Sequence, residues 1–432
     1  MIITWAKNIK TQLYGSKIIT NIAITFFSKI FKALTILILM ILTARDFGAE
    51  GKGIITMALF LPDFLYFTLH LGLGNASIFF LSNHQENEKT VFNNTFWEGL
   101  LLSFIAMTIT LLLKFLKPDI MGIGFPNELF YLALLIVPFS FLETFLENVF
   151  AGKQQFKIFN GIIIIDRLIL TIVMIVMFTA FKITLTSIII LVLINLMIQV
   201  LSYFIILVRE YGWPNIFAIN MAYFKKAIDF GMRSYLACFL CYLILRSDLY
   251  MLSTMKGMKE VGFYSVATNF IDAMLLLSAS ASAVIFPLIS KENDKSVYYI
   301  KKFSGWMSVI SILAIVLTLM FGSIFIQMFF GKQFVLSVKP LFILLIAMYF
   351  WSLLSIITQF FAANNYPWKA VYIWIPGIVL NIVINWIWIP KYGMLAAAWS
   401  SVLAYGLTFM LHFILLNKYQ KVHLKELLYP KK

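Results

Sequence analysis

Cysteine, histidine and charge are all scarce in this chain of 432 residues, which has two cysteines, four histidines and 12% Asp, Glu, Lys and Arg. A soluble domain carries roughly 25% charged residues. The polar surface is too small to coat the about two to four soluble domains that such a length otherwise suggests. Cys238 and Cys241 lie inside an apolar segment, which excludes a secreted disulfide framework. Their spacing is that of a redox pair but the strand-to-helix context is missing, so buried thiols are expected. Isolated histidines and two thiols make no metal cluster. No GxxxxGK[ST] loop, no GxGxxG opening a helix and no HExxH is present, so the usual routes to nucleotide hydrolysis, dinucleotide binding and zinc proteolysis are absent. Long hydrophilic loops are also missing, and with them the platform that a membrane glycosyltransferase or polymerase needs for donor and acceptor.

What is abundant is apolar: 62% of residues are hydrophobic and 17% aromatic, with a mean hydropathy of +0.92. Twelve windows are long enough to span a bilayer at about 20 residues each. The first runs Ile18 to Ala44, the second Ile54 to Leu81 and the last Met394 to Leu416. They are expected to be helices, because backbone groups in lipid must bond within their own segment and the alternation of a membrane barrel is absent. With the amino terminus inside, 19 of the 34 Lys and Arg fall on the cytoplasmic side, ten outside and five within spans. That bias places both termini in the cytoplasm and accounts for much of the +15 net charge without nucleic acid.

An internal repeat appears at a shift of about 209 residues. Gly48, Gly53 and Ala58 fall on Gly257, Gly262 and Ala267, Asp63 falls on Asp272, and Trp97 on Trp306. With slight slippage, Phe150-Ala151-Gly152-Lys153-Gln154 matches Phe361-Ala362-Ala363-Asn364-Asn365. An even number of spans per half preserves orientation, so the halves are expected to be parallel repeats about an axis along the membrane normal. The expected organisation is a six-helix lobe over 1–208, a cytoplasmic linker over 209–227, a second six-helix lobe over 228–416 and a basic cytoplasmic tail over 417–432, with substrate between the lobes.

The stretch Thr43-Ala44-Arg45-Asp46-Phe47-Gly48-Ala49-Glu50-Gly51-Lys52-Gly53 and the Leu71-Gly72-Leu73-Gly74-Asn75-Ala76 turn resemble the amino-terminal signature of Wzx-type polysaccharide biosynthesis flippases, the O-antigen flippases of the MATE-like MOP exporter superfamily. Arg246-Ser247-Asp248-Leu249-Tyr250 and Val261-Gly262-Phe263-Tyr264-Ser265-Val266-Ala267 resemble the seventh to eighth span of the same family. The resemblance covers the whole chain in order. It implies an all-α polytopic membrane protein of about twelve helices with a MATE-like fold. It also implies a non-enzymatic carrier of the bacterial inner membrane that moves a polyprenyl-diphosphate-linked oligosaccharide to the outer leaflet by ion-coupled alternating access. No cofactor is expected; the coupling ion would be H+ or Na+, and the partners would be the lipid-linked glycan, membrane lipids and other proteins of polysaccharide assembly. Two other readings stay open, a MATE-like exporter of small cations or drugs and a membrane polymerase or ligase of the same glycan pathway.

Ionisable side chains inside spans are costly enough to be functional candidates by default. Lys29 and Lys32 share one face of the first span at i, i+3 spacing, as a cationic wall for a diphosphate or as partners of neighbouring carboxylates. Arg167, Arg233 and Arg246 are the arginines within spans, and a guanidinium suits phosphate. Asp63 and Asp272, at matching places in the two halves, can couple an ion or pair with a lysine. Glu143 and Glu147 share a face of the fourth span, where Glu143 could carry a proton or pair with Arg167 beside Asp166. Asp166 and Asp248 complete the candidate coupling carboxylates. His70 is expected to be a hydrogen-bonded core residue, and Pro62, Pro138, Pro287 and Pro376 are expected to kink their spans.

Overall fold

The structure is a computed structural model that describes the backbone of residues 2–291, 293–364 and 366–428, and side chains from residue 24 onward except 287 and 293. Asn365 of the second repeat motif, the side chain of Pro287 and the last residues of the basic tail lie outside the described residues. Among the described residues the fold is all helix, without a strand. Among these described residues, eleven helices are long and apolar enough to cross a membrane. The first of these apolar stretches, Ile24–Leu69, has 46 residues. At about 1.5 Å per residue it reaches roughly 69 Å, more than twice the about 30 Å of hydrocarbon, so it holds two crossings. The junction is Gly48, whose φ of 65° and ψ of −164° break α1 (Ile2–Leu69) where only glycine enters without strain. Twelve crossings therefore agree with the twelve apolar windows.

The second window differs in detail. α1 ends at Leu69, and α2 (Leu73–Ser82) begins after a break at His70, Leu71 and Gly72. Leu71 and Gly72 take φ of 50° and 73°, a left-handed step that hydropathy does not register. The freed backbone groups are satisfied locally, as broken helices in lipid require. The amide of Gly72 donates to His70 Nδ1 at 3.1 Å, and the hydroxyl of Tyr235 donates to the Thr68 carbonyl. Gly72 and Gly231 approach so closely that a Cβ on either would collide with the other's carbonyl.

The other long helices are α3 (Glu88–Leu116), α4 (Asn127–Gly152), α5 (Phe156–Ala180), α6 (Leu185–Tyr211), α7 (Met221–Met255), α8 (Met258–Lys291), α9 (Ser296–Phe330), α10 (Val338–Ala363), α12 (Trp374–Tyr392) and α13 (Met394–Gln420). Short helices α11 (Trp368–Tyr372) and α14 (Leu424–Leu428) complete the order. Pro62 and Pro138 stand inside α1 and α4, while Pro376 falls in the first turn of α12, where the missing N–H costs nothing. Cys238 and Cys241 are free thiols on α7, and against the expectation of two buried thiols Cys238 is exposed and Cys241 half-buried.

Packing separates two compact units. The first takes the chain up to Leu39, Leu73–Phe104 and Pro138–Asp229; the second takes Met40–Gly72, Ile105–Val137 and the chain from Phe230 on. In the first, Phe141, Phe145 and Phe150 of α4 and Tyr203 of α6 are fully buried, with Phe150 against Tyr203. The connection after α6 is held to α3, because Asn94 donates to the Asn220 carbonyl and accepts from the Asn220 amide, both at 2.9 Å. In the second unit α10 packs on α8, α9 and α13, and Trp351 sits against Trp374 and Tyr405.

Candidate functional site

In the first unit, side chains from four helices form one polar cluster at membrane depth. Lys32 Nζ on α1 lies 3.2 Å from Glu143 Oε1 on α4. Gln199 on α6 donates to the same Glu143 oxygen at 3.0 Å and accepts from Arg167 on α5 at 3.1 Å. Arg167 donates to Asn195 Oδ1 at 3.3 Å, and Asn195 donates to Asp166 Oδ1 at 2.6 Å. Glu147 stands within electrostatic reach of Glu143, Lys32, Lys29 and Arg167. Thus Glu143 pairs with Lys32 rather than directly with Arg167, and the α6 amides bridge the two.

The accessibility of these groups is asymmetric. Glu143 and Asp166 are buried, the side chain of Lys32 is 41% exposed against 11% for that of Glu143, and Lys29 is exposed with no ion pair among the described residues. The two lysines are the accessible members, whereas Glu143, Asp166 and Arg167 are buried. Asn195, Gln199 and Tyr203 were not singled out in the sequence, although their four-residue spacing marks a polar stripe along an otherwise apolar α6.

The second unit holds another set. Arg246 on α7 donates to Asp272 Oδ2 on α8 at 2.8 Å, with both side chains about a third exposed at 30% and 37%. Two residues on, Asp248 is buried and receives three donors: the Tyr264 hydroxyl at 2.5 Å, Ser401 at 3.0 Å and the amide of Leu249 at 2.7 Å. Beside it Ser247 donates to Asn381, which also accepts from Asn385 one turn along α12. Asp63 is exposed on α1, and His70 is buried in a ring cluster with Tyr66 and Tyr235. Arg233 is exposed with its guanidinium over the ring of Trp368 at 5.6 Å, away from the Arg246 group.

The repeat is visible as a contact inside this second unit. A Cβ placed on Gly53 would fall on the carbonyl of Met258, and one on Gly262 would fall on the carbonyl of Ala49. The shift that relates Gly53 to Gly262 also relates Ala49 to Met258, so the contact is reciprocal. Gly257, the partner of Gly48, repeats its positive φ at 86°. Within this seam lies Lys52, which the sequence placed in the first outer loop. It is instead in the helix and 0% exposed. The signal that could have found it is Thr56, one turn on, whose partner under the same shift is a second hydroxyl, Ser265.

Residues 18–293 match a family model described as polysaccharide biosynthesis protein. A protein of Shigella flexneri described as an O-antigen transporter is 23% identical over 378 residues, covering 83% of this chain and 88% of its own. Among solved structures, the lipid II flippase MurJ in an inward closed conformation matches with a TM-score of 0.73 at 17% identity, over 95% of this chain and 89% of that one. An inward-facing multidrug resistance MATE family transporter of the MOP superfamily matches with a TM-score of 0.68 at 13% identity, over 90% and 95%. At these identities the structural likeness establishes the fold alone, a multi-pass helical membrane fold shared with these two structures.

Proposed function

We propose, since the chain belongs to the polysaccharide biosynthesis protein family, that it is a non-enzymatic transporter that flips polyprenyl-diphosphate-linked oligosaccharides from the cytoplasmic to the outer leaflet of the bacterial inner membrane, with both termini cytoplasmic. The observation that carries the reading is the asymmetry of the first-unit cluster: Lys29 and Lys32 are accessible, whereas Glu143 and Asp166 are buried. An anionic headgroup meets bases first, whereas an exporter of cations needs accessible acids. Lys29 and Lys32 would take the diphosphate or acidic sugars, with the buried Arg167 as a third base, while the polyprenyl tail stays in lipid. In the second unit, Arg246, paired with Asp272, and Arg233, over Trp368, are the other candidate substrate-binding cations of the chain.

Alternating access would be driven by H+ or Na+. Among the candidate coupling carboxylates Asp63, Asp272, Glu143, Asp248 and Asp166, Asp248 fits best, because it is buried, is held by neutral donors and has no base within ion-pair distance among the described residues. Charge reversal at both lysines, Lys29→Glu with Lys32→Glu, is expected to abolish surface polysaccharide at normal protein level and to leave lipid-linked units on the cytoplasmic face. Unchanged surface polysaccharide in the double variant would sink the reading. Efflux of cationic dyes by the wild type would point to the MATE-like exporter instead.

A further inference from the structure

Lys52 sits one turn after the Gly48 kink, fully buried in the glycine seam. Its Nζ donates to Thr56 Oγ1 at 2.9 Å and to Ser265 Oγ at 3.0 Å. Both hydroxyls have already committed their own protons. Thr56 Oγ1 donates to the Lys52 carbonyl at 2.8 Å and Ser265 Oγ to the Gly262 carbonyl at 2.9 Å. Each can therefore only accept from Nζ, and among the described residues Nζ has no other hydrogen-bond partner and no carboxylate within ion-pair distance. A neutral amine has two N–H bonds, which the two hydroxyls satisfy. An ammonium would bring a third N–H without an acceptor and a full charge without a counter-ion, which a buried site strongly disfavours.

The charged residues on the packed elements do not supply that counter-ion. Asp46 and Glu50 on α1, Lys256 and Lys259 around the start of α8, Lys117 and Asp119 in the connection before α4, and Lys332 after α9 are all exposed. Glu260 uses its carboxylate on the amide of Met394 at 2.8 Å.

We propose that Lys52 is a proton-binding site of the seam: the seam closes on the neutral amine, and when it parts, Nζ meets water and takes up one proton. The step takes a proton from solvent hydronium onto the nitrogen lone pair: one O–H bond breaks to leave water, one N–H bond forms to give an ammonium, and no oxidation state changes. Protonation and closure then exclude each other, so acid favours the parted seam and alkali the closed one. For one proton the closed-to-open ratio changes by up to about tenfold per pH unit. The inference rests on the alternating-access reading above but not on the identity of the cargo.

The test uses the full chain in nanodiscs with Cys238→Ala and Cys241→Ala, spin-labelled at Glu50→Cys and Lys259→Cys, two exposed positions flanking the seam. Distance distributions from pulsed electron paramagnetic resonance are expected to gain a longer population as the pH falls. With Lys52→Met the seam stays closed at every pH; with Lys52→Arg, which cannot lose its proton, the longer population persists at every pH. A pH response that survives in Lys52→Met, a Lys52→Met seam open at every pH, or a wild-type distance that never changes would each overturn the proposal. Should the arginine variant not fold, the 15Nζ resonance of Lys52, assigned by its loss in Lys52→Met, reads the site directly in the wild type. An amine shift in the closed state at neutral pH supports the proposal and an ammonium shift overturns it. A seam that responds as expected in a protein that moves no lipid-linked glycan would instead refute the transport reading and leave the Lys52 site standing.

Discussion

Gly53 and Gly262 face each other's helices through backbone alone, each lying against the carbonyl that the other's half supplies. Small residues let helices in lipid approach to backbone distance, and here there is no space even for a methyl group. Gly53→Ala or Gly262→Ala should therefore force the helices apart, lowering stability by about 1–3 kcal/mol or more, the usual range for overpacking. Thermal unfolding in detergent, followed by intrinsic tryptophan fluorescence, reads the loss. Gly161→Ala is the internal control: it lies within α5 with open space around its Cα, and it should unfold no earlier than the wild type.

The Lys32 to Glu143 pair predicts a non-additive pattern. Glu143→Ala alone leaves Lys32 without its paired carboxylate, while Gln199 keeps Tyr203 as an acceptor, so it should be more damaging than the double change with Lys32→Ala. Because Lys32 is partly exposed, the coupling should fall between the surface and buried limits, about 1–2 kcal/mol. A double-mutant cycle on unfolding temperatures measures it, and strict additivity would show that the contact holds nothing together.

Asp248 predicts a separation between folding and energy coupling. Asp248→Asn keeps an acceptor for Tyr264 and Ser401 but removes the charge that would hold H+ or Na+. Folded protein should be recovered in normal amount, while flipping in proteoliposomes becomes indifferent to an imposed pH or sodium gradient. Gradient dependence that persists in Asp248→Asn would move the coupling site elsewhere among the membrane carboxylates.

Much of this was legible in the amino-acid pattern for a physical reason. Lipid demands long apolar runs and internally bonded backbone, so the spans declare themselves, and a duplicated fold leaves its glycines at a fixed shift. Partners of buried charges did not declare themselves. Lys32 and Glu143 are 111 positions apart, and nothing local to either says which base meets which acid. Lys52 was hidden by its own neighbours, since Gly-Ala-Glu-Gly-Lys-Gly reads as a polar turn until packing from α8 closes over it. The break at His70 to Gly72 was hidden for the opposite reason: hydropathy runs on unbroken while the backbone dihedrals reverse.

The first-unit cluster carries three bases, Lys29, Lys32 and Arg167, and three acids, Glu143, Glu147 and Asp166, on elements that pack together. With each group in its ordinary ionised form the assembly is electrically neutral. Moving one elementary charge across 100 mV of membrane potential is worth about 2.3 kcal/mol, but displacing a neutral assembly through the same field yields essentially nothing. Whatever motion these helices make, the voltage across the membrane has no net charge there to pull on, and voltage sensitivity in the transport cycle would have to enter with the cargo or with a mobile ion.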